Sequence, residues 1–220
     1  MEAAIFKTPI EVANQLAENG TSLDHMLIVV DAMITAKNEC TDNDPAGSRG
    51  WRSWQMGTRR NREVHVGIGD WEKDDTGQVP SIVSKKFGRR IVICNTDDGT
   101  CKEAFDPQNS SRKGASTDRD VHANQINMFN DESTGKVVSL NRVFTSAGPV
   151  VTYYLCVYSE GDDVRAELSC PNNFENGFFT GFLERIFILG GDTPKGGDAL
   201  KPLQEGESEY EINVTLKKPH

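Results

Sequence analysis

No apolar run in the 220-residue chain approaches the ~20 residues needed to cross a bilayer, so no membrane partner is expected. Its first residues, M-E-A-A-I-F-K-T-P, lack a basic stretch leading into an apolar one, which argues against a secretory signal. The five cysteines are odd in number and lack the tight pairs of a zinc site. Cys94, Cys101, Cys156 and Cys170 lie in or beside apolar runs, where a reduced thiol packs as a small apolar group. Buried thiols and a cytoplasmic location are expected. Three glycosylation sequons, headed by Asn19, Asn109 and Asn213, carry no weight without an export signal.

Catalytic motifs are missing too. There is no G-x-S-x-G, no H-E-x-x-H and no G-x-x-x-x-G-K-[ST]. Gly67-Ile68-Gly69 begins a dinucleotide fingerprint, but Glu72 stands where the third glycine belongs. No cofactor is expected, and no motif decides whether the protein is an enzyme. The acidic turn Asp70–Asp75 has the oxygens a divalent cation wants, yet the chain contains no E-x-K or D-x-K to accompany it. Asp118, Asp120 and His122 alternate: on a strand all three face one way, on a helix Asp118 pairs with His122 while Asp120 turns aside. A divergent metal-dependent hydrolase using Asp70, Glu72, Asp118, Asp120 or His122 is the weakest of three functional readings.

Positive charge is scarce overall, with a net charge of −9, but unevenly so. Residues 1–47 carry two basic and eight acidic side chains, residues 48–119 fourteen and ten, and residues 120–220 eight and fifteen. An acidic chain repels polyanions at long range. Its basic middle can still hold phosphate within about a Debye length.

That middle contains Gly50–Glu63, where Trp51 and Trp54 sit among Arg52, Arg59, Arg60 and Arg62. Guanidinium groups fork onto phosphate oxygens and an indole face stacks on a base, so nucleic acid or another phosphate-bearing ligand is the first functional expectation. Lys85, Lys86, Arg89 and Arg90 form a second basic patch, Arg112 and Lys113 a third. The plainer account places both tryptophans in the core and pairs the arginines with nearby carboxylates. The second functional reading is an interaction subunit docking on a partner protein through its acidic flanks and the Gly- and Phe-rich stretch Phe174–Phe182.

Periodicity supplies the architecture. Thr8-Pro9-Ile10-Glu11 fits a capping box, and Asn19-Gly20 a helix stop. A second helix starts at Thr21 or Ser22 and carries Met26, Leu27, Val30, Met33 and Ile34 on one stripe. As a DNA reader that helix is too acidic, with Asp24 and Asp31 and no arginine or lysine before Lys37. A short helix from Ser48 is expected to end at Gly57, followed by a strand over Val64–Ile68 and a helix over Pro80–Phe87. Arg90–Cys94 reads as a buried strand, with Cys101–Phe105 returning beside it as a hairpin. Residues 106–119 read as a loop and an internal boundary, and Asp118–Phe129 as a short helix. Strands are expected at Val137–Leu140, Val143–Thr145, Val150–Tyr158, Val164–Cys170 and Tyr210–Leu216, with Phe174–Phe182 a loop. The fold expected is α+β, one domain over residues 1–220 with a strand-rich part at 136–217. Its N-terminal helical hairpin packs on a mostly antiparallel mixed sheet.

Overall fold

The computed structural model describes residues 3–129 and 150–193, and of residues 126–129 only the backbone. The strands expected at Val137–Leu140, Val143–Thr145 and Tyr210–Leu216 lie outside the described residues. The elements run β1 (Ala4–Phe6), α1 (Pro9–Glu18), α2 (Leu23–Asn38), α3 (Ser48–Val66), β2 (Glu72–Asp74), β3 (Ser81–Ser84), β4 (Arg89–Asn95), α4 (Ala115–Phe129), β5 (Val151–Glu160), β6 (Asp163–Glu175) and β7 (Phe178–Leu189). One seven-stranded sheet has the order β1-β7-β6-β5-β4-β3-β2. Among the described strands only β1–β7 and β4–β5 pair in parallel. The class is α+β, with the N-terminal helices packed on a mixed sheet that is mostly antiparallel.

The helical hairpin starts where the caps dictate. The Thr8 hydroxyl accepts from the Glu11 N–H, and the Glu11 carboxylate accepts from the Thr8 N–H at 3.2 Å. Ser22 caps α2. Leu16, Met26, Val29 and Met33 then pack on Ile82, Ile91, Ile93, Leu155, Leu168 and Ile186 to form the main core. Each such side chain, removed from water, contributes about 1.5–3 kcal/mol. A smaller core on the opposite face joins Val121 of α4 to Val92, Cys94, Tyr154, Cys156, Phe179 and Phe182.

Five local expectations are corrected. Gly57 does not end a helix, and Val64–Ile68 is not a strand: α3 runs through both to Val66. Gly57 is the point of closest approach, because a Cβ there would lie 2.5 Å from Met33 Cγ and 3.0 Å from Ile93 Cγ2. Close packing on α2 and β4 offsets the ~1 kcal/mol propensity cost of a helical glycine. Within Pro80–Phe87 there is no helix but the strand β3, with all four of its residues buried. Cys101–Phe105 does not return as a strand; it folds as turns clamped from the sheet by Arg185. That guanidinium, 1% exposed, donates to the carbonyls of Lys102, Phe105 and Gly99 and pairs with Glu167 at 2.7 Å. Phe174–Phe182 is not a loop: apart from the Asn176-Gly177 turn it is paired strand, with Phe174 opposite Phe179. Both turn residues have positive φ, 54° and 91°, the left-handed geometry that a tight hairpin uses.

Candidate functional site

The helix α3 buries an unusual face. Ser53, Gly57, Thr58, Asn61 and His65 point inward, so the side packed on α2 and β4 is small and polar. The larger side chains are displaced outward. Trp51 is 58% exposed, while Trp54 is half-buried against the main core.

Between α3 and the β2–β3 hairpin runs a groove of about 710 Å³, within the size range of small-ligand sites. Trp51, Trp54, Thr58, Arg59, Arg62 and Glu63 line it from the helix, Lys73 and Pro80 from the hairpin. Arg62 fixes the two walls to each other. Its Nε donates to the Ser81 carbonyl, and its Nη2 to the Asp74 carbonyl at 3.1 Å and to the Asp75 carboxylate at 2.5 Å. Among the described residues no hydrogen bond uses its Nη1, the one guanidinium nitrogen left unengaged. Arg59 donates to Glu63 at 2.7 Å, an exposed pair across one helical turn. Lys73 has no carboxylate partner among the described residues. Thr58 is 8% exposed, and its hydroxyl, itself buried, has no hydrogen-bond partner among the described residues.

Of the residues singled out from the sequence, Trp51, Trp54, Arg59 and Arg62 therefore meet in one concavity. Arg52 and Arg60 sit on neighbouring faces of α3 and bind Glu39 at 2.8 Å and Glu63 at 3.1 Å. The second patch does not assemble. Lys85 and Lys86 lie on the β3–β4 turn, paired with Glu72 and Asp70. Arg89 donates to Asn19 at 2.6 Å and covers the Tyr153 ring from the α1 side. Arg90 is 6% exposed and fully engaged inside: with Ser81, Asp74 and Asp120, and with the carbonyls of Thr76 and Val79. It cannot reach a ligand. Arg112 donates to the Asn176 carbonyl at the β6–β7 turn.

The acidic candidates are likewise divided among separate partners. Asp118 and His122 pair along α4, and Asp120 turns to Arg90. Burial pushes the Asp120 carboxyl above its ordinary value, more than Arg90 lowers it. Burial also acts upward on Asp74, but hydrogen bonds from Thr76 and the Arg90 charge outweigh it and hold that carboxyl low. Among the described residues no three metal-ligating side chains converge. Four of the thiols offer no nucleophile, since burial pushes Cys94, Cys101, Cys156 and Cys170 above the usual thiol range. In the Phe-rich stretch Phe179 and Phe182 are buried, while Phe174 and Phe178 are half-buried.

Lys73, Thr58, Glu63 and Pro80 are groove residues that the sequence did not single out. Lys73 lies within an acidic run, so its local context reads negative; only pairing of β2 with β3 carries it to the groove. No family model, curated protein or solved structure matches the chain.

Proposed function

We propose that this is a cytoplasmic protein that binds a phosphate-bearing ligand, nucleic acid foremost, in the groove along α3. One observation supports the reading: an exposed indole, a lysine with no carboxylate partner among the described residues and a pinned arginine with one unengaged nitrogen line a single concavity. The lining holds three cations, Arg59, Arg62 and Lys73, against one carboxylate, Glu63. A guanidinium–phosphate hydrogen bond is charge-assisted and about twice as strong as a neutral one, so short-range attraction can prevail where the far field of a −9 chain repels. All five cysteines are free and buried, which supports the reducing compartment.

Charge reversal at Lys73 tests the reading. Lys73 is exposed, so Lys73→Glu leaves the fold intact. Fluorescence anisotropy with a labelled oligonucleotide at low salt is expected to show binding by the wild type and a loss of about ten-fold or more in the variant. Equal affinities would remove the groove from the account.

A further inference from the structure

We propose that the groove's ligand is single-stranded nucleic acid, its bases laid on Trp51 and Trp54 and its phosphates on Arg59, Arg62 and Lys73; this rests on the phosphate-binding reading above. Three features of the groove select a single strand over a duplex or a small phosphate.

The first is the indole. Trp51 stands 58% exposed at the groove, and an aromatic face gains most from a base whose own face is free. In a duplex both faces of every base are covered by neighbours, so Trp51 would meet only sugar and phosphate. Inorganic phosphate would leave both rings idle.

The second is shape. Trp51 and Arg62 are eleven residues apart on α3, about 16 Å at 1.5 Å per residue, so rings and cations are spread along a track. A strand of a few nucleotides follows such a track. A concavity of about 710 Å³ is too small to enclose a double helix.

The third is charge. Duplex binding draws mainly on many phosphate contacts, which a chain of net −9 with three groove cations supplies poorly. Stacking is electrically neutral and loses nothing to the far field. Here the ring contacts dominate affinity and the cations set position.

The test compares labelled oligothymidylate of about 20 nucleotides, oligouridylate of the same length, a duplex of that length and ATP as competitor. Both single strands are expected to bind, the duplex about ten-fold more weakly or worse. Trp51→Ala is expected to weaken single-strand binding about ten-fold, while Trp51→Phe, which keeps an aromatic face, retains most of it. Unchanged thermal melting of both variants confirms that folding is intact. A duplex bound as tightly as the single strand, ATP competing as well as the oligomer, or Trp51→Ala without effect would overturn the assignment. If Lys73→Glu still weakened binding in that case, the phosphate-binding reading would stand and only the single-strand claim would fall. Wild type that bound neither oligonucleotide nor heparin would remove both.

Discussion

The four arginines that look alike in G-W-R-S-W-Q-M-G-T-R-R-N-R-E do not share one fate. Arg62 is a strut between α3 and the β2–β3 hairpin, Arg59 shares a carboxylate in the groove, and Arg52 and Arg60 face elsewhere. Helix periodicity separates them once α3 is known to be continuous, but no residue-level property does. Glu63 is the informative neighbour. The Arg59 hydrogen bond holds its carboxyl below the usual carboxylate range, so it stays anionic throughout the physiological range. It therefore occupies the Arg59 Nε–H, where a phosphate oxygen would otherwise bind. Exposed pairs of this kind are weak and easily exchanged. Glu63→Gln is expected to tighten oligonucleotide binding a few-fold by anisotropy. An unchanged or weaker affinity would show that the phosphate does not settle on Arg59.

Among the elements, α1 and α2 were legible because caps and apolar stripes agreed: Thr8, Glu11 and Ser22 stand where the chain needs them. The length of α3 was not. Its buried face is Ser53, Gly57, Thr58, Asn61 and His65, none of which a hydrophobic period detects. Val64, Val66 and Ile68 alternate by coincidence, since Ile68 is 51% exposed and His65 between the valines is buried. That histidine binds α3 to its neighbours. Its Nε2 meets the Thr21 hydroxyl at 2.8 Å, its Nδ1 the Asn61 carbonyl at 2.9 Å, and its ring packs against Trp71. Burial pushes its pKa down to about 4. The unfolded chain, near 6.5, takes up a proton first as pH falls, so stability is complete above that value and drains away between pH 6.5 and about 4. The loss amounts to roughly 3 kcal/mol at 1.36 kcal/mol per pH unit. Denaturant unfolding at pH 7 and pH 4.5 is expected to show a larger loss in the wild type than in His65→Gln. An equal loss would identify some other group as the titrating one.

At the scale of the whole molecule, one sheet carries a core on each face, and two basic residues are taken up inside. Arg90 and Arg185 are spent inside, each satisfying a carboxylate and several carbonyls that would otherwise be buried alone. Neither fate could be read from R-R-I-V-I-C or E-R-I-F-I-L, where the arginine merely precedes an apolar run. Sheet class was legible from strand composition, whereas strand order was not, because β1 joins the far edge through a parallel pairing with β7 and the crossover from β4 to β5 passes through α4. The groove, formed where α3 meets β2 and β3, depends on those long-range pairings. Its cations number three, and this sets the most direct test. Single-strand affinity measured against salt is expected to fall with a log–log slope of about −2, three phosphates at ~0.7 each. A slope near zero, or one several times steeper than the groove's cations can supply, would contradict the account.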